Sequence, residues 1–171
     1  MRLYQNYFCA AAVIKNFRKL IKLKILEADK YKMENKNLID LQNLDGKALE
    51  ICIAQINKHF NIKFIKAENG EAIGELELEE RHKNLFNIPY GGILFNLADC
   101  TTGMAFISLG RPGVTVSATA NFMRGSQNTS KLICKAKVKR GGRKLFFVRA
   151  EIEDDEGVIL SDFDFIFSTL D

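Results

Sequence analysis

An α+β domain, with a long antiparallel sheet wrapped around one central helix, is the fold this sequence predicts. Three observations carry that expectation. An apolar helical pattern runs from about Gly91 to Ser108, a hairpin with an Asn-Gly turn precedes it, and four alternating strand-like runs follow it. Regions of period 3.6 and of period 2 are thus segregated along the chain, as an antiparallel sheet with one packed helix requires.

The elements follow in order. Residues 1–40 read as a basic N-terminal extension and 41–171 as the domain. Within residues 1–32, eight basic side chains meet only Glu27 and Asp29, and Lys15, Arg18, Lys19, Lys22 and Lys24 interleave with Ile14, Phe17, Leu20, Ile21 and Ile25. That pattern fits a helix making weak contact with an anionic membrane or an organelle-targeting segment. It equally fits a solvated or disordered extension, or one lying upstream of a start at Met33. Asp45 can cap a helix over residues 47–60, with Leu49, Ile53 and Ile56 on one face. Ile62–Ala67 and Glu71–Glu80 form the hairpin, turned by Glu68-Asn69-Gly70. Its second strand alternates Ala72, Gly74, Leu76 and Leu78 with glutamates, so one face is buried and the other wet. The central helix stops near Gly110-Arg111-Pro112-Gly113. The strands after it are 114–123, 131–139, 144–153 and 158–168, separated by turns at Gly125-Ser126, Gly141-Gly142 and Asp154-Asp155-Glu156-Gly157.

Composition narrows the function. The 171 residues are 47% hydrophobic and 27% charged, those of an ordinary globular domain with a sizeable core. The first 32 residues carry a net +6 and the remainder −2, so the formal +4 of the chain comes from its start and the domain itself gives no reason to expect nucleic acid. Cys9, Cys52, Cys100 and Cys134 are scattered without a CxxC pair, which fits free thiols in a cytoplasmic setting and no structural metal. Nor does any apolar run reach the eighteen or so residues of a membrane span.

Chemistry concentrates at the start of the central helix. Gly91-Gly92 opens it, and Asp99 follows among Ile93, Leu94, Phe95, Leu97 and Ala98. Amides at a helix start lack intrahelical acceptors and sit at the positive end of the dipole, so they can hold a developing negative charge. A carboxylate among apolar residues must be hydrogen-bonded, protonated or used. Together the two suggest a site for cleaving an acyl group. Cys100 points about 100° away from Asp99 around the helix and reads as core. His59 reads as structural, and Phe163, Phe165 and Phe167 as core or dimer surface.

The order strand, His82-x-Asn84, Gly91-Gly92, apolar helix with Asp99, then four strands resembles the hotdog fold. Within it, the residues resemble the small acyl-CoA thioesterases of the phenylacetate-degradation (PaaI-like) type, whose segment reads His-x-Asn-x-x-Gly-x-x-His-Gly-Gly, then six residues, then Asp. His82, Asn84, Gly91, Gly92 and Asp99 match at the same spacing, while Asn87 stands where Gly is usual and Tyr90 where His is usual. Pro112-Gly113-Val114-Thr115-Val116, Asn121-Phe122-Met123-Arg124 and Gly142-Arg143 also resemble family segments, and the likeness covers roughly residues 47–168.

The resemblance implies hydrolysis of a small-to-medium acyl- or aryl-CoA, with coenzyme A as part of the substrate and no further cofactor. It implies a Gly91 amide that polarises the thioester carbonyl and Asp99 as general base or nucleophile. Asn84 would orient water or the carbonyl, Thr115 would hold the water, and Ser117 would share its strand face. Gly92, His82 and Tyr90 would shape the loop and pocket, and Arg124, Gly142 and Arg143, with Lys139, Arg140 and Lys144, would meet CoA phosphates. Gly91 and Asp99 lie eight residues apart, about 12 Å along one helix, so both reach one thioester carbon only if they come from different subunits. The expected assembly is an obligate homodimer, with dimers pairing into a homotetramer. The alternative is a non-hydrolytic acyl-CoA binding or sensing module in which Tyr90 has cost the activity, or a scaffold tethered by residues 1–32. A dehydratase fits less well, because Asp99-Cys100-Thr101-Thr102-Gly103-Met104 lacks the histidine that hydratases of this fold carry.

Overall fold

A computed structural model describes residues 53, 54, 56 and 59–170. The basic extension, the Asp45 cap and most of the helix expected over residues 47–60 lie outside them, although residues 53, 54, 56, 59 and 60 are helical. Six strands form one antiparallel sheet in the order β1-β2-β4-β5-β6-β3. They are β1 (Lys63–Glu68), β2 (Glu71–Glu77), β3 (Gly113–Phe122), β4 (Lys131–Gly141), β5 (Leu145–Asp154) and β6 (Ile159–Thr169), and one helix, α1 (Gly91–Ile107), enters between β2 and β3. This is the expected fold, with strand ends within two or three residues of those expected. The largest shift is in β2, which stops at Glu77; the chain then makes a 3-10 turn over Glu80–His82.

Local chemistry explains the pairing. Asn69 and Gly70 adopt φ of 52° and 78°, both left-handed, as the two-residue turn that matches strand twist demands. The alternation of β4, β5 and β6 puts Leu132, Cys134, Ala136, Phe146, Val148, Ala150, Ile152, Phe163, Phe165 and Phe167 on one face, all buried. α1 lies across that face, mainly against β2, β4 and β5. It buries Leu94, Leu97, Ala98, Thr101, Thr102, Met104, Ala105 and Phe106. The three β6 phenylalanines are therefore core. Phe167 stacks on Phe106 with centroids 5.1 Å apart.

The opposite face of the sheet is a grid of ions. Glu71 bridges Lys66 and Lys137, each at 2.7 Å, and these two cations hold its carboxyl down at about 2. Arg149 reaches Asp162 at 2.7 Å, and Lys135 pairs with Glu153.

Gly74 is a point of close approach between sheet and helix. A Cβ there would lie 2.6 Å from Thr101 Oγ1, whose hydroxyl donates to the Leu97 carbonyl at 2.6 Å. Thr101 cannot yield without breaking that bond inside the core. Gly74→Ala is therefore expected to destabilise the domain by about 1–3 kcal/mol, the usual cost of overpacking. A thermal melt showing no loss would contradict this packing.

Candidate active site

Asp99 sits half-buried on α1, on the side left uncovered by the sheet. The Thr115 hydroxyl of β3 donates to its Oδ1 at 2.9 Å, while Oδ2 has no donor among the described residues. The thiols nearby are inert. Burial, with a smaller push from the Asp99 charge, raises Cys100 to about 12, and burial raises Cys134 to about 12. Both stay protonated near neutral pH, so neither is a nucleophile beside the Asp99 carboxylate.

Eight residues earlier, α1 begins. Tyr90 is its N-cap, extended at φ −60° and ψ 142°, with no side-chain cap. Its carbonyl accepts from Ile93 and Leu94 at 3.0 and 3.2 Å, while the Gly91 and Gly92 amides find no acceptor among the described residues. Neither glycine has a positive φ. A Cβ on Gly91 would meet only the Phe122 ring at 3.5 Å, an ordinary contact, and one on Gly92 would meet no described atom within 4 Å. Packing within the chain demands neither glycine. What they provide is open access to two free N–H groups.

The loop before the helix is fixed by its own side chains. His82 is buried; its Nδ1 accepts from the Glu79 N–H at 3.1 Å and its carbonyl accepts from Tyr90 N–H at 3.0 Å. Asn84 Oδ1 accepts from Phe86 N–H at 2.9 Å and Ile88 N–H at 3.4 Å. Its oxygen is thereby committed to the loop, leaving Nδ2 as the group able to donate. Asn87 has φ of 60°, a left-handed conformation that asparagine and glycine both tolerate, so asparagine can stand where the resemblance leads one to expect glycine. Gln127, which sequence reasoning missed, braces this turn by donating to the Phe86 carbonyl at 3.2 Å.

The structure gathers these residues into two groups and leaves others apart. Asn84, Gly91 and Arg124 line one open cleft of about 350 Å³, walled by Ile88, Leu94 and Phe122. Asp99 and Thr115 form the second group. Tyr90 is half exposed beside the cleft, and its hydroxyl has no partner among the described residues. Gly142 and Arg143 lie in the exposed β4–β5 turn. One row of the sheet runs Thr115–Phe167–Phe146–Gly141, so that turn stands three strand spacings, about 14 Å, from Thr115.

One expectation is overturned. Ser117 does not share a face with Thr115, because the register slips between them: Thr115 pairs with Phe167 and Ser117 with Ile166. Adjacent residues of β6 point to opposite faces, so the bulge at Val116 turns Ser117 away from Asp99.

Comparison with known proteins agrees with this architecture. Residues 86–161 match the thioesterase superfamily. A protein of Archaeoglobus fulgidus provisionally named an esterase is 24% identical over 99 residues, which are 58% of this chain and 64% of that relative; the chain thus spans just under two thirds of its length. A hypothetical thioesterase of Streptococcus pneumoniae TIGR4, solved with coenzyme A, has a TM-score of 0.64 at 22% identity, over 73% of this chain and 96% of that one. The same protein was also solved with alanine replacing an aspartate, and with alanine replacing a threonine 16 positions further on. The PaaI protein of the E. coli phenylacetic acid degradation operon gives 0.65 at 23% identity, over 68% and 85%. With one helix set across a six-stranded antiparallel sheet the chain has the hotdog fold, and its stretch from the loop before that helix to β6 matches the thioesterase superfamily.

Proposed function

We propose that the protein hydrolyses the thioester of a small-to-medium acyl- or aryl-CoA, releasing the acid and CoA, as a homodimer with sites shared between subunits. The observation that carries this is the division of the site. A carboxylate held by Thr115 and a free Gly91 amide lie on one continuous helix about 12 Å apart, too far to serve one carbonyl. The edge of the sheet supplies the means of joining them. Among the described residues β3 pairs only with β6, which leaves its outer backbone edge open, and Val114 and Val116 beside it are 48% and 54% exposed. Such an edge is a template for a second strand. Asp99 touches Thr115, and Gly91 lies beside Phe122. Antiparallel pairing of two β3 strands that sets Thr115 opposite Phe122 of the partner subunit thus also carries Asp99 toward Gly91 of the partner subunit.

In this arrangement the Gly91 amide receives the thioester carbonyl oxygen, and a water lies against Asp99. Water attacks the carbonyl carbon as Asp99 takes its proton, and the oxyanion is held by the amide, a contact worth about 3–4 kcal/mol. Collapse breaks the C–S bond, the proton passes to the departing sulfur, and the acid leaves. Direct attack by Asp99, through an anhydride that water then opens, is the variant of the same site. Thr115 fixes the carboxylate, and Asn84 Nδ2 remains able to donate to water or substrate. The 16-residue separation of Asp99 and Thr115 equals that of the two positions altered in the Streptococcus pneumoniae protein, which supports their pairing as a unit. Arg143, in the basic β4–β5 turn, is a cation available for CoA phosphates, while Arg124 lines the acyl cleft. A cytoplasmic setting fits the free thiols of Cys100 and Cys134, and no helix among the described residues is long and apolar enough to cross a membrane.

A panel of acyl-CoAs assayed for thiol release tests the reading. Turnover of acyl groups sized to the cleft is expected. Binding without release would instead favour a sensor, and sedimentation reads dimer against tetramer. Thr115→Val, which keeps the shape and loses the donor, is expected to lower kcat by about 10- to 100-fold, the range for a hydrogen bond to a charged group. An unchanged rate would remove Thr115 from the mechanism.

A further inference from the structure

The uncovered face of α1 is a narrow stripe. At 100° per residue Gly92, Asn96, Asp99 and Gly103 fall within about 60° of one another. They lie opposite the buried Leu94, Leu97, Thr101 and Ala105. Gly103 is unexplained by the fold. Glycine inside a helix is less stable than alanine, and a Cβ here would meet no described atom within 4 Å. Packing within the chain does not call for it. Its effect is to keep open the surface one turn beyond Asp99, about 6 Å along the axis toward the C-terminal end of α1.

That direction leads to a fixed cation. α1 ends at Ile107, and Arg111 follows in the connection to β3. The Arg111 guanidinium lies 5.6 Å from the Phe146 ring centroid, and its Nη1 donates to the Arg143 carbonyl at 3.4 Å. Its other N–H groups have no partner among the described residues, and no described carboxylate pairs with it.

We infer that the pantetheine arm of the thioester lies along this stripe over Gly103 and delivers the CoA diphosphate to Arg111. The inference rests on the function proposed above and adds a route for the leaving group. An extended arm of thirteen covalent bonds from sulfur to the first phosphorus spans about 16 Å. Asp99 to Ile107 covers about 12 Å, and the Arg111 side chain closes the remainder. The arm is uncharged and needs only a smooth floor, which glycine supplies. The diphosphate needs a guanidinium held at a set place, which stacking on Phe146 supplies. The acyl group departs the other way, toward the cleft beside Gly91 of the partner subunit.

The test compares two thiol portions at a constant acyl group, using the full-length protein. Arg111→Gln is expected to raise KM for the acyl-CoA at least tenfold and to change kcat/KM for the matching N-acetylcysteamine thioester, which stops short of Arg111, less than threefold; Arg111→Lys should recover part of the loss. Gly103→Leu, which obstructs the floor under the thiol end of the arm, is expected to raise KM for the acyl-CoA at least tenfold without lowering the melting temperature. Calorimetry with free CoA reads the same contacts without turnover, and both Gly103→Leu and Arg111→Gln should weaken binding about tenfold. If either variant binds CoA as the wild type does, or if Arg111→Gln loses both thioesters equally, the route is wrong while the hydrolase reading stands on the wild-type rates. If the wild type neither binds CoA nor cleaves any acyl-CoA, both readings fall.

Discussion

Replacing Asp99 by alanine is expected to lower kcat for acyl-CoA hydrolysis by about a thousandfold or more, within or above the range of a lost general base. The melting temperature should stay near that of the wild type. Asp99 is half-buried on the uncovered side of α1, and Thr115 is the side chain that bonds its carboxylate, so truncation creates no core cavity and strands no buried charge. Its one structural consequence lies at Cys100, whose thiol is raised chiefly by burial and partly by the Asp99 charge; removing the charge should lower that thiol somewhat. Asp99→Asn sharpens the result. It can keep the Thr115 hydrogen bond and the side-chain volume, but its amide cannot take a proton from water. Equal losses for Ala and Asn identify the missing proton acceptor, whereas retained activity in Asn would show that Asp99 merely holds β3 against the helix. Thiol release in the variant at the wild-type rate would refute the mechanism.

The fold was legible because its local signals agree with its global plan. Asn69-Gly70 names its turn, and in β4 and β5 strict alternation survives over Leu132–Val138 and Phe146–Ile152, so the buried face could be listed in advance. The site was legible only as far as contacts are local. The loop from His82 to Tyr90 closes on itself, and its asparagines mark the turn. What failed to show were events that leave no trace in residue pattern. Val114-Thr115-Val116-Ser117 reads as an unbroken strand, yet the bulge at Val116 reverses which side chains face the helix. Gln127 lies 41 residues from the Phe86 carbonyl that it braces, and no short-range rule links them. Nor does sequence order reveal that β3 pairs with the last strand and so stands at the sheet edge. That edge is what makes a shared site feasible. The helix conceals its working face for a related reason: enclosed by a curled sheet, it is apolar around most of its circumference, and apart from Thr101 and Thr102, whose hydroxyls donate back to helix carbonyls, the departures gather on the line Gly92, Asn96, Asp99 and Gly103.

The shared site leads to an outcome that no single-chain arrangement gives. Gly91→Pro removes the amide donor yet should leave the helix intact, because Gly91 is the first helical residue, where proline is tolerated and its ring obstructs no preceding turn. Tyr90, at φ −60° and ψ 142°, already has the extended conformation required of a residue before proline. Deleting one oxyanion donor is expected to lower kcat about 10²- to 10³-fold. Now let Asp99→Ala and Gly91→Pro chains assemble together. In a mixed dimer one site combines an intact Gly91 from the first chain with an intact Asp99 from the second, while the other site lacks both. Random pairing makes about half of the dimers mixed, each with one working site of two. Activity should therefore recover to about a quarter of wild type from two nearly inactive preparations. If amide and carboxylate met within a single chain, each chain would bring its own defect to its own site, and mixing would restore nothing. Recovery on co-assembly, measured by thiol release after denaturing and refolding the two variants together, thus separates the two geometries without reference to which acyl group the cleft prefers.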